Sequence, residues 1–341
     1  MDPKYVCLNC GRIWRSGEIM VICPICRSKP IKIKEGVDIK EVVEKLKNGD
    51  PKKIARRVKN KRYILPEFLP PDEIANAMIA IGKTKANLSI YRMLLLGMLA
   101  GAFIGFGSEL ATIITYDMPK YLGVGSTKFM FGSVFSVGLM LVIIAGAELF
   151  TGNNLILIKV LNREGDLGKM FKSWFWVYVA NFLGSLLLVW IMFGTGLWKT
   201  GNFAVGAEAL AIANGKVNLD WWEAFARGIG CNWLVCLAIW VSVASKDIIG
   251  KIFGIYFPVM AFVASGFEHC VANMYFIPMG LLLKRNTAVV AAAGLSGKLS
   301  NLTLQRFFVN NLIPVTLGNI IGGSLFVASV YWLAYLRKSE K

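Results

Sequence analysis

A single histidine in 341 residues is the scarcest feature of this chain. A haem held by two histidines therefore has no second ligand. Acidic side chains are few as well, 21 against 38 Lys and Arg, and charged residues of both signs make up only 17%. No Gly-rich nucleotide motif stands between a strand and a helix. The first 34 residues lack the apolar run of a secretory signal and carry four cysteines among basic side chains, so the head is expected to stay in the cytoplasm. Seven cysteines, four in two close pairs and three scattered through apolar sequence, do not form an extracellular disulfide framework.

What is abundant is apolar surface. Hydrophobic residues reach 55% and the mean hydropathy is +0.55, the composition of a membrane protein. The formal charge of +17 is unevenly spread: residues 1–91 hold 19 basic and 10 acidic side chains, leaving 19 and 11 for the remaining 250. A short charged head thus precedes a long apolar body.

In the head, Cys7-Leu-Asn-Cys10 and Cys23-Pro-Ile-Cys26 form a double Cys-x-x-Cys. Two such knuckles place four thiolates around one metal ion, as in a zinc ribbon or a rubredoxin-like iron site, and spacing does not separate zinc from iron. So small a segment has little core of its own and needs the metal to fold. Residues 1–36 are read as this metal-binding domain, and 37–91 as a basic linker. Within the linker, Asp38 and Glu41 form a capping box, and Asp50-Pro51 opens a second short helix. Lys52, Lys53, Arg56, Arg57, Lys59, Lys61 and Arg62 cluster just before the apolar body, which suits a lipid headgroup surface better than nucleic acid. Ile74, Ala77, Met78 and Ile81 then recur at helical spacing, predicting an amphipathic helix along the cytoplasmic interface.

From 92 to 341 six apolar segments follow, at about 92–115, 129–158, 173–198, 221–245, 252–283 and 308–336, each able to span a bilayer. Six crossings put the basic connections Lys159 to Lys172 and Lys246 to Lys251, with the tail Arg337 to Lys341, on the side of the basic head. Both termini are then cytoplasmic, as the positive-inside rule prefers. Lys284, Arg285, Lys298 and Arg306 fall on the opposite side and run against that rule.

The second and fifth segments are too long for one straight crossing, and both carry a polar interruption. Gly146-Ala-Glu148-Leu-Phe-Thr-Gly-Asn153 and Gly266-Phe-Glu268-His-Cys-Val-Ala-Asn273 share Gly-x-Glu-x4-Asn. Asn181-Phe-Leu-Gly184 and Asn319-Ile-Ile-Gly322 repeat the correspondence in the next segment of each half. Three crossings per half force the halves into opposite orientations, the inverted-repeat plan whose broken helices meet at a substrate site. Broken backbone at membrane depth must be packed in protein or line a cavity. Glu148 and Glu268 are candidates for proton transfer, but their equivalent positions beside both breaks favour a symmetric scaffold, with Asn153 and Asn273, in which they bond the freed backbone amides.

These motifs, together with Gly230-Cys-Asn-Trp-Leu-Val-Cys-Leu-Ala238 and Asn311-Leu-Ile-Pro-Val-Thr-Leu-Gly-Asn319, resemble the formate/nitrite transporter family over about residues 66–338. The cysteine-rich head lies outside the resemblance. It implies an all-α membrane protein, an aquaporin-like 3+3 inverted repeat of six helices with two interrupted, assembled as a homopentamer in the cell (inner) membrane. Its cargo would be a small monovalent anion: formate first, then nitrite, hydrosulfide or lactate. His269 matches the central histidine of the family and Thr151 its partner; Asn181 and Asn319 match polar residues of the pathway, which the resemblance implies donate hydrogen bonds to a partly dehydrated anion and orient the imidazole. Phe135, Leu139 and Phe262 resemble a cytoplasmic apolar constriction and Leu149 one on the periplasmic side. Lys216, in the polar stretch between the halves, matches a lysine that draws anions to the outer vestibule.

A bare anion pays heavily to cross an apolar ring, so protonation at His269, or through it, is the expected route. The expected protein is thus a transporter of weak-acid anions and protons, not an enzyme, with zinc or iron in the head and none needed for transport. The head is expected to gate, or to dock a cytoplasmic enzyme. A neutral-solute channel and a redox protein using an iron site in the head are the rival classes.

Overall fold

The computed structural model describes residues 68–337 and three short strands in the head. The chain divides into two units, Met1–Glu67 and Phe68–Lys341. In the first, β1 (Lys4–Val6) pairs antiparallel with both β2 (Ile13–Arg15) and β3 (Ile31–Ile33), giving the order β2-β1-β3. The four cysteines Cys7, Cys10, Cys23 and Cys26 and the two short basic helices lie outside the described residues.

The second unit is helical. Five of its helices are long and apolar enough to cross a membrane by length and composition: α2 (Ile90–Thr115), α3 (Met118–Gly146), α5 (Leu167–Thr195), α7 (Trp221–Ala244) and α10 (Leu304–Tyr335). The segments predicted to be interrupted are interrupted. After α3 the chain breaks and resumes as the half-helix α4 (Phe150–Leu161); the fifth segment divides into α8 (Ile248–Ala264) and α9 (Cys270–Leu283). At each break a glycine takes a left-handed conformation that a β-carbon would strain, Gly146 at φ +87° and Gly266 at φ +77°. Polar first residues fix where helices begin: Asp166, Asp220 and Asp247 each accept a backbone N–H of the first turn of α5, α7 and α8.

Small residues let the helices approach closely. α2 lies on α5 through Gly97, Gly101 and Gly184, and α7 lies on α10 through Gly228, Gly318 and Gly322. A β-carbon at Gly184 would sit 2.6 Å from the Met98 carbonyl carbon, and one at Gly228 would sit 2.7 Å from the Val315 oxygen. The two crossings correspond between the two halves of the chain. α3 and α8, the long arms before the two breaks, pack on each other where Gly132 meets Met260. Outward faces carry Leu95, Leu99, Phe106, Phe175, Leu187, Phe257, Leu317 and Leu333, a surface fit for lipid.

Two short helices differ from the sequence reading. Pro71–Ala86 (α1) does form, and Ile74 and Met78 are buried with Ala75, Ile79, Gly82 and Ala86, while Ala77 and Ile81 are half-buried. Its apolar face is covered by protein: Gly82 packs against Ile156 and Lys159 of α4. A half-helix leaves room beside it that a second short helix fills. On the other half, Ala204–Val217 (α6) plays this part, with Ala213 against Gly280 of α9. Lys216, expected in a polar connection, is thus in the last turn of a helix.

Candidate functional site

The two breaks are held by the same set of bonds. At the first, Asn181 of α5 accepts the N–H of Phe150 at 2.9 Å and donates to the carbonyls of Glu148 (2.9 Å) and Gly97 (2.8 Å). At the second, Asn319 of α10 accepts the N–H of Cys270 at 3.0 Å and donates to Glu268 (3.0 Å) and Gly228 (2.8 Å). A carboxamide has both a donor and an acceptor, so one side chain satisfies both ends of a broken turn; a carboxylate, acceptor only, does not. This corrects the sequence reading in two places. Asn181 and Asn319 spend their amides on backbone rather than on an anion, and Glu148 and Glu268 do not take the freed amides.

The glutamates are instead ion-paired. Glu148 accepts Lys85 Nζ at 2.8 Å and Asn153 Nδ2 at 2.9 Å; Glu268 accepts Lys216 Nζ at 2.8 Å and Asn273 Nδ2 at 2.7 Å. Each asparagine passes its other hydrogen outward, Asn153 to Ser173 (3.2 Å) and Asn273 to Asn311 (2.7 Å). Lys216, expected as a free vestibule charge, is therefore neutralised by Glu268, with its ammonium also 5.4 Å from the Phe276 ring centroid. Lys85 has the matching place and adds a 3.1 Å bond to Asn153 Oδ1.

Between the breaks lies a contact that the repeat does not duplicate. His269 Nε2 and Thr151 Oγ1 are 3.0 Å apart, joining the first turn of α4 to the residue that opens α9. The other ring nitrogen, Nδ1, accepts the Ala272 N–H at 3.1 Å, so the histidine caps its own helix. His269 is 3% exposed and Thr151 fully buried, which closes the pair to solvent in this conformation. Phe262 lies 6.1 Å from the His269 ring, and Phe135 meets Phe262 edge to face at 6.0 Å. Leu139 and Leu149 are buried in the same apolar cluster, Leu149 at the start of α4, the place that His269 has on α9.

Four participants escaped the sequence reading: Lys85, Ser173, Asn311 and Asn232. Asn232 of α7 donates to the carbonyls of Thr151 (3.2 Å) and Asn319 (2.7 Å) and to Asn154 Oδ1 (2.8 Å), tying the two halves together. Its signal was an asparagine inside an otherwise apolar helix. For Lys85 the signal was the repeat itself, since Lys85 precedes Gly97 by the interval at which Lys216 precedes Gly228. Three buried cysteines, Cys231, Cys236 and Cys270, are free thiols, and no metal-binding group is found among the described residues.

The family model "Formate/nitrite transporter" matches residues 72–333. A "Probable formate transporter" of Methanothermobacter thermautotrophicus is 43% identical over 80% of this chain and 98% of its own length. The "Formate channel FocA" of Escherichia coli (strain K12) is 37% identical over 80% of this chain and 97% of its own. Among solved structures, a "Pentameric formate channel with formate bound" superposes with a TM-score of 0.65 at 37% identity, covering 73% of this chain and 98% of that one. These relatives are channels and transporters rather than enzymes. The chain, a multi-pass membrane transport protein, belongs to the formate/nitrite transporter family.

Proposed function

We propose that this protein passes a small monovalent weak-acid anion, formate by preference, through a protonation-assisted site at His269 and Thr151. Nitrite and hydrosulfide are the alternatives, and lactate is the larger member of the class. The reading places six crossings in the cell membrane, with both termini in the cytoplasm, and assembles five copies, as in the pentameric formate channel to which the fold is similar.

The observation that carries the mechanism is the pair of bonds on the imidazole. Because Nδ1 accepts a backbone N–H, a neutral ring must carry its proton on Nε2 and donate it to Thr151. The threonine hydroxyl then keeps its own hydrogen for another acceptor, and the N-terminus of α9 favours negative charge beside it. An anion at this point meets one hydroxyl donor, a helix N-terminus and the apolar wall of Phe262 and Phe135. The ring that gives its Nε2 proton to the anion takes one back from water; taken at Nδ1, that proton breaks the Ala272 cap, so transfer by that route is coupled to loosening of the α9 start. The anion leaves the polar point as the neutral acid, which crosses the phenylalanines without the cost of a bare charge.

The head enters this reading as a separate module: Cys7, Cys10, Cys23 and Cys26 hold one zinc or iron ion, and the head docks a cytoplasmic enzyme that makes or consumes the anion. Metal analysis of the purified protein, with and without those cysteines, decides the ion.

The test of transport is labelled formate uptake into proteoliposomes with and without an imposed pH gradient, competed by nitrite, hydrosulfide and lactate. Uptake that follows the proton gradient supports the reading. Formate exclusion with nitrite or hydrosulfide flux intact would keep the site and replace the substrate.

A further inference from the structure

The repeat is also broken at a polar place away from the central pair. In the register that matches Gly97 with Gly228, Glu109 of α2 corresponds to Trp240 of α7; in the register that matches Glu148 with Glu268, Tyr275 of α9 corresponds to Leu155 of α4. Trp240 and Leu155 share an apolar cluster, with Trp240 stacked on Tyr331. Their counterparts are instead an acid and a phenol in direct contact: Tyr275 donates its hydroxyl to the Glu109 carboxylate. The tyrosine is 1% exposed, and its ring packs with Leu188 beside Gly105, where a β-carbon would meet the ring at 3.1 Å.

The surroundings offer the carboxylate no compensating charge. No cation pairs with Glu109 among the described residues. On α6, Lys216 is engaged with Glu268, and the other titratable group is Glu208, a second half-buried acid. On α3 the charged residues of this side are Asp117 at its start, with Lys120 and the exposed Lys128 beyond. The stretch of α5 from Asn181 to Thr195 has no titratable side chain, and on α9 Tyr275 itself is the group that faces the acid. A carboxylate set among apolar helices with one phenolic donor is costly to keep ionised, and intramembrane acids of this kind exchange protons.

We propose that Glu109 and Tyr275 form a proton-binding site on the Lys216 side of the protein, one that makes anion entry from that side sensitive to the pH there. The ligand is a proton from the adjoining solution. It adds to the Glu109 carboxylate to give the neutral acid, Tyr275 keeps its own O–H, and nothing is oxidised or reduced. Ionised, Glu109 opposes an anion approaching the His269 end of α9; neutral, it does not. The Lys85 side has Trp240 and Leu155 in this place and lacks the control. The inference rests on the weak-acid transport proposed above, under whose topology the Lys216 side is the outer one.

The test is formate flux, with nitrite in parallel, through the full-length protein in vesicles of known orientation, the pH being varied on one side at a time. Glu109→Gln mimics the neutral acid. It is expected to raise entry from the Lys216 side several-fold at alkaline pH and to flatten the pH dependence on that side, leaving the other side unchanged. Tyr275→Phe removes the donor that favours the ionised form, so half-maximal entry moves to higher pH while the dependence survives. Pentamer elution and flux from the unaltered side show that each variant is folded. Identical pH profiles of Glu109→Gln and the unsubstituted protein, with flux intact, overturn this inference and leave the transport reading standing. Absence of both formate and nitrite flux in the unsubstituted protein overturns both.

Discussion

The break after α3 and the break before α9 carry the same lysine, glutamate and pair of asparagines, yet only one of them carries a histidine. Leu149 and His269 open the two half-helices, and Thr151 faces His269 where the second half has Val271. What is duplicated is therefore what any broken helix at membrane depth requires, partners for freed backbone groups and a neutral balance of charge. What is not duplicated is the chemistry. The comparison separates scaffold from site without any ligand in place.

The sharpest way to break this symmetry is to remove the carboxamides. Asn181→Ala leaves the Phe150 N–H and the Gly97 and Glu148 carbonyls without that partner, and Asn319→Ala does the same to Cys270, Gly228 and Glu268. Each orphaned buried group costs about 1–3 kcal/mol, so both variants are expected to lose most of their folded yield in detergent, to similar extents. A large difference between them in thermal unfolding would show that the scaffold is not equivalent.

Next in size are the ion pairs. Lys85→Met and Lys216→Met each leave a buried glutamate unpaired, an effect of roughly 3–5 kcal/mol in a fully buried pair and less here, where the lysines keep some exposure. Glu148→Gln and Glu268→Gln in the respective backgrounds should restore part of the thermal midpoint. Lys216→Met should also slow anion entry from its own side alone, visible as sided uptake.

Much of this was legible in the chain. The two Gly-x-Glu-x4-Asn motifs located both breaks, because a glycine and a polar cluster inside a long apolar run are costly at membrane depth unless the helix opens there and gives them partners. The central pair followed from the family resemblance and from there being one histidine to place. The partners were not legible in the same way. Whether a glutamate bonds backbone or a lysine depends on which helix fills the space beside a half-helix, and periodicity made α1 an interfacial helix and left Lys216 in a loop. The family resemblance places Asn181 and Asn319 beside an anion; the three-dimensional register shows their donors committed to Gly97, Glu148, Gly228 and Glu268.

A smaller effect sharpens the comparison at the ends of the long arms. Asp247 caps α8 through the Gly250 N–H at 2.7 Å, whereas Asp117 at the start of α3 makes no such bond. That hydrogen bond holds the Asp247 carboxyl below its ordinary value near 3.8. A lowered value means stability fully present above the ordinary value and lost as the pH falls from there through the lowered one. Asp247→Ala should therefore lower the thermal midpoint slightly at neutral pH, with the deficit fading on acidification, while Asp117→Ala changes little at either pH.

In the proposed mechanism the duplicated scaffold holds the helices and His269 supplies the proton coupling. Asparagine is a strong helix cap, so His269→Asn keeps the start of α9 while removing the imidazole. The deciding measurement is formate uptake by this variant in proteoliposomes under an imposed pH gradient, beside the unsubstituted protein. The expected result is an assembled, thermally stable pentamer whose uptake no longer follows the gradient. Uptake that follows it undiminished would place the coupling elsewhere than at His269.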